Sequence, residues 1–262
     1  GARLNANARD NFIDLSTFTA NNGSGVALDI SGASSNTVSR SYIGNPLGYA
    51  LTLSGANYNT IARSTVAAGP GGYVAVDLFN ASSNTIEHSW VMTVDAEGID
   101  IRGQRNVIRY STITTGTSAA LYINASSNTV IDSYIGANQA VAVYLDFLAS
   151  KNEIANSTLS VTQFDYAAYY VNSGDENLLR DSTVLSPEGN GVDIRSGSER
   201  NAVLRGSVAA GGYGVYLLSA SSNSVSESVV RGSTAVFVSR SPGPVIAGSR
   251  LIATQTAGAA LA

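Results

Sequence analysis

A short pattern of polar and hydrophobic positions recurs along almost the whole chain. Each copy begins at an asparagine, followed by an aliphatic residue after two positions, a serine after five and another apolar residue after seven. The asparagines, here called the Asn column, are Asn11, Asn36, Asn59, Asn84, Asn106, Asn128, Asn152, Asn177, Asn201 and Asn223. They lie 22–25 residues apart, and Pro244 takes the next equivalent position. A fixed period of this length indicates a repeat architecture.

The other three positions of the repeat are as regular as the asparagines. The aliphatic column is Ile13, Val38, Ile61, Ile86, Ile108, Val130, Ile154, Leu179, Val203, Val225 and Ile246. The serine column is Ser16, Ser41, Ser64, Ser89, Ser111, Ser133, Ser157, Ser182, Ser228 and Ser249, with Gly206 in one repeat. The second apolar column is Phe18, Ile43, Val66, Val91, Ile113, Ile135, Leu159, Val184, Val208, Val230 and Leu251.

Within each repeat the apolar residues alternate with polar ones at a period of two, which is typical of β-strands. A third strand closes each repeat, as in residues 28–30, 121–123 and 215–217. Three short strands per repeat predict an all-β, right-handed parallel β-helix of about ten to eleven coils. Coils stacked about 4.8 Å apart make a rod on the order of 50 Å long. No capping helix is evident in the sequence.

The repeat predicts one β-helix domain over residues 1–262. Residues 1–10 form a terminal turn or partial coil, residues 11–243 the regular coils and residues 244–262 a terminal coil. Leu4 has the phase of a third-strand residue, and Leu261 in the tail has a similar phase. The two ends are therefore expected to match, so that the rod either self-associates through uncapped ends or continues into neighbouring coils of a longer chain.

The repeat resembles the right-handed parallel β-helices of the pectate-lyase-like superfamily, including the carbohydrate-associated β-helix repeats. The resemblance extends from about Asn11 to Leu261. It implies that the asparagines point inward and stack into a hydrogen-bonded ladder, with the serines forming a similar one. It implies little about activity, because the superfamily includes lyases, hydrolases, epimerases, adhesin passengers and phage fibres.

The middle residue of the third strand is predicted to point outward. These residues, here called the Asp–Tyr row, are Asp29, Thr52, Asp77, Asp100, Tyr122, Tyr144, Tyr170, Asp193, Tyr216 and Phe237. Aromatic rings beside carboxylates suit sugars, which stack on rings and offer hydroxyls. The predicted ligand-binding residues are Tyr122, Tyr144, Tyr170, Asp193 and Tyr216. The alternative is a plain ladder of like residues on paired strands.

Asp77 and Asp100 are neighbours in this row, and two outward carboxylates are candidate ligands for Ca²⁺. No other cofactor or metal site is expected. If the protein is an enzyme, the superfamily resemblance implies elimination on a uronic acid, with Asp77 and Asp100 beside Arg102 as neutraliser or base and Tyr122 as proton donor. The alternative is an ordinary surface row of acids. His88, the single histidine, is predicted on another side of the coil.

A second outward row follows the serine column by one position. It contains Thr17, Tyr42, Thr65, Trp90, Thr112, Tyr134, Thr158, Thr183 and Ser207. Flat threonine rows are found in ice-binding solenoids, but the interspersed aromatics and the single threonine column argue against that function.

Composition argues against several kinds of partner and site. Only 13% of residues are charged, the net charge is −4 and there is no cysteine. A nucleic-acid partner, thiolate metal sites and disulfides are therefore not expected. No apolar run reaches the roughly 18 residues of a membrane span.

Regular coils without long loops leave only a shallow face, which is a weak place for demanding chemistry. The sequence therefore favours an extracellular or cell-surface structural solenoid, such as a filament or fibre subunit or an adhesin passenger. The alternative is a carbohydrate-active β-helix, a lyase or epimerase on acidic glycans, or a glycan-binding module. Whether the protein is an enzyme stays open, with the absence of cleft loops arguing against it.

Overall fold

The computed structural model describes residues 1–23, 25–163 and 166–255. They form three parallel sheets of eleven strands each. Sheet 1 contains β1 (Ala2–Leu4), β4 (Val26–Ser31), β7 (Tyr49–Ser54), β10 (Val76–Phe79), β13 (Ile99–Arg102), β16 (Leu121–Ile123), β19 (Val143–Leu145), β22 (Tyr169–Asn172), β25 (Val192–Arg195), β28 (Tyr213–Leu218) and β31 (Thr234–Ser239).

Sheets 2 and 3 supply the other two strands of each coil. Sheet 2 contains β2 (Phe12–Asp14), β5 (Thr37–Ser39), β8 (Thr60–Ala62), β11 (Thr85–Glu87), β14 (Val107–Arg109), β17 (Thr129–Ile131), β20 (Glu153–Ala155), β23 (Leu178–Arg180), β26 (Ala202–Leu204), β29 (Ser224–Ser226) and β32 (Val245–Ala247). Sheet 3 contains β3 (Thr17–Thr19), β6 (Tyr42–Asn45), β9 (Thr65–Ala68), β12 (Trp90–Met92), β15 (Thr112–Thr115), β18 (Tyr134–Ala137), β21 (Thr158–Val161), β24 (Thr183–Ser186), β27 (Ser207–Ala210), β30 (Val229–Gly232) and β33 (Arg250–Ala253).

Every strand pairs in parallel with the equivalent strand of the next coil, and the predicted columns are in register. In sheet 2, Ile86 is paired with Ile61 on one side and Ile108 on the other. In sheet 3, Val91 is paired with Val66 and Ile113. The predicted right-handed β-helix of about eleven coils, with three strands per coil, is confirmed. The single-domain boundaries stay a prediction, and Leu261 lies outside the described residues.

The core is narrow and is filled by the side chains of the apolar columns. Ile43, Ile61, Ile113 and Leu121 are at most 1% exposed. Since each coil adds the same few side chains from each sheet, one hydrophobic cluster extends along the axis from coil to coil. Burial of these stacked aliphatic side chains is the main stabilising contribution.

The Asn column forms the expected ladder inside the solenoid. The Asn84 side chain donates to the Ala56 carbonyl at 2.9 Å and to Asn106 Oδ1 at 3.2 Å. Its own Oδ1 accepts the Asn59 backbone N–H at 2.8 Å. Each amide therefore satisfies backbone groups that would otherwise be buried without partners.

The serine column forms a second ladder at the next corner. Ser133 Oγ accepts the Ser111 backbone N–H at 3.2 Å and donates to the Ile131 carbonyl at 2.8 Å. The pattern recurs one coil further on, where Ser157 Oγ accepts the Ser133 N–H at 3.1 Å. The same two hydrogen bonds recur along the corner between sheets 2 and 3, except in the coil where Gly206 replaces the serine.

Each coil turns sharply at two corners, and a single residue with positive φ makes each turn. The residue before the ladder asparagine is one, as at Tyr58 with φ 58° and Arg105 with φ 58°. The residue before the ladder serine is the other, as at Arg63 with φ 48° and His88 with φ 48°. Glycine is usual at positive φ, and because these residues are not glycine, the sequence does not mark their backbone conformation.

The end coils are less well covered than the middle ones. Ile13 and Phe18 of the first full coil are partly exposed. Leu251 in β33 is 44% exposed, whereas Val230, the residue paired with it, is fully buried. The described part of the chain contains no helix long and apolar enough to cross a membrane.

Candidate functional site

The Asp–Tyr row lies on the outer face of sheet 1, with every member in register. Asp77 of β10 is paired with Asp100 of β13, and Asp100 with Tyr122 of β16. The row continues through Tyr144 and Tyr170, and then through Asp193, Tyr216 and Phe237. Strand pairing therefore brings all of the predicted site residues onto one face, one coil apart.

The two adjacent carboxyls, Asp77 and Asp100, lie in an unusually dry environment for an outer face. Asp100 is only 2% exposed, and burial raises its pKa from 3.8 to about 6, although the Arg102 guanidinium opposes that shift. Burial also raises the pKa of Asp77. One oxygen of Asp77, Oδ1, is buried and has no hydrogen-bond partner. This pair holds a proton more readily than solvent-exposed aspartates do.

Arg102 covers Asp100. Its Nε donates to Asp100 Oδ1 at 3.2 Å, and its Nη2 forms an ion pair with Asp100 Oδ2. The guanidinium also lies 5.9 Å from the centre of the Phe79 ring. Arg102 is thus already paired with the acid that was predicted to work beside it, and its role toward a substrate carboxylate stays a prediction.

The three central tyrosines pack edge to face. Ring centres are 5.4 Å apart for Tyr122 and Tyr144 and 5.0 Å for Tyr144 and Tyr170. The Tyr122 hydroxyl donates to Asp146 Oδ2 at 2.6 Å, and the Asn172 amide lies 3.4 Å from the Tyr144 hydroxyl. Burial and the Asp146 carboxylate both raise the pKa of Tyr122. Tyr122 is therefore a neutral hydrogen-bonding group at ordinary pH.

A second aspartate–arginine pair repeats the arrangement further along the row. Arg195 contacts both Asp193 oxygens at 2.6 Å, and the Asn190 amide donates to Asp193 Oδ2 at 2.9 Å. The Arg195 guanidinium lies 4.9 Å from the centre of the Tyr216 ring and 5.8 Å from that of Tyr170. The sequence Asp-Ile-Arg at both places encodes the same ion pair on the same face.

The sequence reasoning missed three polar groups of this face, Asp146, Asn172 and Asn190. Asp146 and Asn172 lie two residues after Tyr144 and Tyr170, as Arg102 and Arg195 lie two after Asp100 and Asp193. Residues two apart on a strand share a face. Reading two residues further along each third strand would therefore have predicted Asp146 and Asn172 on this face. Asn190 lies in the loop before β25 and has no such signal.

A depression of about 290 Å³ opens beside the tyrosines. Its lining includes the rings of Tyr122, Tyr144 and Tyr166 and the polar residues Glu97 and Ser118. The Ser118 hydroxyl lies 3.1 Å from Glu97 Oε1. The depression combines ring edges with a carboxylate and hydroxyls, which are the groups that sugar hydroxyls and ring faces contact.

The predicted calcium pair supplies fewer ligands than Ca²⁺ takes. Ca²⁺ takes about six to eight oxygen ligands. Within residues 1–23, 25–163 and 166–255, no group of three or more His, Cys, Asp or Glu side chains is placed to hold a metal ion. Asp77 and Asp100 supply two carboxylates, and Ca²⁺ binding there stays a prediction.

His88 lies at a corner between sheets 2 and 3, away from Asp100 in sheet 1. Its ring stacks on Tyr110, with ring centres 4.9 Å apart. The histidine is therefore on another side of the coil, as the sequence predicted, and is not part of the Asp–Tyr row.

The chain matches the family model described as right handed beta helix region over residues 3–132 and 74–230. These overlapping matches cover most of the sequence, and the protein belongs to this family. A search of curated proteins finds no match.

Solved structures with similar folds include three proteins from different settings. The periplasmic alginate epimerase AlgG is 10% identical, with a TM-score of 0.58 over 89% of this chain and 76% of its own. The catalytic domain of GH87 α-1,3-glucanase, in complex with tetrasaccharides, is 13% identical, with a TM-score of 0.65 over 94% and 53%. Tailspike protein 2 of Escherichia coli O157:H7 bacteriophage CAB120 is 9% identical, with a TM-score of 0.58 over 85% and 34%. At these identities the similarity shows the fold alone.

Proposed function

We propose that this β-helix binds a polysaccharide along the Asp–Tyr row. The observation that carries the proposal is the unbroken register of hydroxyl, carboxyl and guanidinium groups on the outer face of sheet 1. Successive groups are spaced by one coil, about 4.8 Å, so a chain of sugar rings lying along the axis meets a polar contact at each step. Similarity of fold to an alginate epimerase and to a glucanase bound to tetrasaccharides supports a carbohydrate ligand.

The depression beside Tyr122 and Tyr144 is the part of the row that offers a sugar the most contacts. Tyr144 contributes both a ring edge and a hydroxyl, and Asp146 and Asn172 fix the phenols around it. Hydrogen-bonding groups that are already held in place bind a sugar with less loss of side-chain entropy. This part of the row, which includes the predicted ligand residues Tyr122, Tyr144 and Tyr170, is expected to contribute most of the affinity.

Affinity electrophoresis through gels that contain alginate, polygalacturonate or a neutral glucan tests this proposal. Tyr144→Ala is expected to weaken binding about tenfold, because ring contacts and one polar contact are lost. Tyr58→Ala removes an exposed ring from a corner outside the row and serves as the matched control. Equal mobility of wild type and Tyr144→Ala in every gel that retards the protein would overturn the assignment, as would retardation by none of them.

A lyase or epimerase acting on acidic glycans is a second candidate, and Asp77 and Asp100 favour it. A general base works best when its pKa is close to the working pH, and that of Asp100 is raised to about 6. In this role Asp100 takes the C5 proton of the uronic acid and Arg102 offsets the substrate carboxylate, as a Ca²⁺ ion would if one were bound. Tyr122 then gives a proton to the leaving O4 oxygen as the C4–O4 bond breaks in elimination, or to the opposite face of C5 in epimerisation. Ultraviolet absorbance of unsaturated uronate ends detects elimination, and proton NMR of the polymer detects epimerisation.

If Asp100→Asn abolishes such a signal while polymer binding persists, the catalytic role is supported. No turnover of any uronate polymer, with or without Ca²⁺, leaves binding as the function.

A structural role is supported by the end coils. Leu251, a core-column residue, is largely exposed there, and Ile13 and Phe18 are partly exposed. Apolar columns that meet end to end would bury this surface, as in filaments and in longer solenoids. Light scattering against protein concentration, with negative-stain electron microscopy, tests self-association. Particles of constant, monomeric mass at high concentration would remove the filament hypothesis.

Both the glycan-binding and the structural function are consistent with an extracellular or cell-surface location.

A further inference from the structure

Sheet 3 carries an outward row in which aromatic residues and threonines alternate from coil to coil. Strand pairing places Tyr42 beside Thr65, Thr65 beside Trp90, Trp90 beside Thr112, Thr112 beside Tyr134 and Tyr134 beside Thr158. These six residues are called the aromatic–threonine row. The aromatic residues are strongly exposed, at 42% for Tyr42, 49% for Trp90 and 39% for Tyr134, whereas the threonines lie lower.

Two of the rings lie across glycines. A Cβ built on Gly44 would lie 2.6 Å from Tyr42 Cε1, and one built on Gly136 would lie 2.7 Å from Tyr134 Cε1. Each glycine is two residues after its tyrosine on the same face of the strand, in the repeated sequence Tyr-Ile-Gly. The missing side chain leaves room for the ring to lie over the glycine, and both tyrosines stay exposed to solvent there.

The spacing of the rings suits an extended sugar chain. Aromatic residues recur every second coil, which is about 9.6 Å along the axis. Two pyranose rings of an extended polysaccharide cover a similar length, so every second sugar can stack on a ring. The sugar between them then lies over a threonine hydroxyl. None of the six residues of the row carries a charge, which favours an uncharged polymer.

Polar groups lie at the edge of the row, where the sugars would expose their hydroxyls. A depression of about 500 Å³ is lined by Tyr110, Thr112, Asp132, Tyr134, Asn156, Thr158 and two serines of the ladder. Tyr110 is itself held by stacking on His88. A ring face, a carboxylate and an amide around one shallow depression are the groups expected of a sugar subsite.

We propose that the aromatic–threonine row binds a neutral, extended polysaccharide parallel to the solenoid axis, with sugar rings stacked on Tyr42, Trp90 and Tyr134. This surface lies on a different sheet from the Asp–Tyr row and does not depend on the function proposed there. The protein then has two glycan-contacting faces, one with charged residues in its row and one whose row residues are uncharged.

Trp90 makes the test direct, because it is the single tryptophan of the chain. Cellohexaose is the probe, since its β-linked chain is extended, and an isomaltohexaose of equal length is the comparison. Titration with cellohexaose is expected to change the Trp90 fluorescence with a saturating curve, whereas isomaltohexaose changes it little. Affinity electrophoresis through hydroxyethyl cellulose gives a second, independent measure of binding.

Three variants separate stacking from a change of fold. Trp90→Ala and Tyr134→Ala are each expected to weaken retardation in the gel about tenfold. Gly136→Ala keeps the Tyr134 ring but lifts it from the strand, and is expected to weaken binding to a similar extent. Tyr58→Ala, at a corner outside both rows, is expected to bind as wild type does. Tyr144→Ala is measured beside it to detect any binding through sheet 1, and circular dichroism checks the fold of every variant.

The proposal is overturned if neither cellohexaose nor hydroxyethyl cellulose binds. It is equally overturned if Tyr58→Ala weakens binding as much as Trp90→Ala does. It is also overturned if Trp90→Ala and Tyr134→Ala, correctly folded, bind as wild type. Shaping of ice crystals without glycan binding would assign the row to ice instead. Loss of binding in Tyr144→Ala alone would assign the neutral polymer to the Asp–Tyr row.

Discussion

An asparagine in the interior of the Asn column connects three coils through one side chain. Asn84 accepts from the coil before it, donates back to that coil at Ala56 and donates forward to Asn106. Because these partners are buried backbone and amide groups, none of them can form a hydrogen bond with water instead when the side chain is lost. An apolar replacement therefore costs more than one hydrogen bond, since several polar groups stay buried without partners.

We predict that Asn84→Ala lowers the free energy of unfolding by about 3 kcal/mol. Chemical denaturation monitored by circular dichroism measures it. Asn21→Ala, at an exposed asparagine outside the column, is expected to be neutral. A change of the same small size in both variants would show that the ladder does not stabilise the fold.

Asp100 links the stability of the fold to pH. Its pKa is raised to about 6 in the folded protein, so between about pH 4 and 6 the folded chain binds more protons at this site than the unfolded chain does. The free energy of unfolding therefore falls as pH rises through that window, and the contribution is constant above it. Asp77, whose pKa is also raised by burial, acts in the same direction.

We predict that Asp100→Asn makes the thermal midpoint less dependent on pH between about 4.5 and 7.5. Asp181→Asn is the control, because Arg205 and Arg180 lower the pKa of Asp181 to about 2 and its contribution is lost only as pH falls below about 4. An unchanged pH slope in Asp100→Asn, or a slope altered equally by Asp181→Asn, contradicts this linkage.

The sequence predicted which residues point outward but not how far each is covered. The strand period places Asp100 and Asp193 on the outer face of sheet 1, as found. Their burial comes from Arg102 and Arg195, which fold back over the carboxyls. A period of two carries no information on such side-chain conformations, so the raised pKa of Asp100 was not predictable from the repeat.

At the scale of the element, the strands are only three to six residues long and depend on their corners. The serine and asparagine columns marked both corners in the sequence, because their spacing is constant. The positive φ of the preceding residue was not marked, since Tyr58, Arg63, His88 and Arg105 occupy positions where glycine is common. The ladder side chains, and not glycine, hold these turns.

The corners supply a prediction about backbone conformation. Arg63 is exposed, has φ 48° and donates its N–H to the Glu87 carbonyl at 2.9 Å. Arg63→Val keeps this donor but places a β-branched residue in the left-handed region, and is expected to destabilise the fold by about 1–2 kcal/mol. Arg63→Gly, which accepts this φ, is the matched variant and is expected to unfold near the wild-type midpoint. Equal midpoints for Val and Gly would show that the corner relaxes without cost.

At the scale of the whole molecule, the fold was predictable almost completely and the function was not. Columns at a fixed period define coils, and the coils can stack in only one register, as the pairing of Ile61, Ile86 and Ile108 shows. Function depends on the outward positions, where the repeat imposes little. The rings over Gly44 and Gly136 illustrate this, because the strand period places each tyrosine and its glycine on one face but does not fix the conformation of the ring.

Stacked coils also predict how the molecule opens. Each coil contacts mainly its two neighbours, so a middle coil is held on both sides and an end coil on one. Amide hydrogen exchange measured by mass spectrometry should therefore be slowest for β14, β17 and β20 of sheet 2 and fastest for β2 and β32. The partial exposure of Ile13 in β2, against the full burial of Val130 in β17, points to the same gradient. Uniform protection from end to end would instead mean that the coils unfold as one unit, and strong protection of β2 or β32 that rises with protein concentration would mean that an end is covered by another chain.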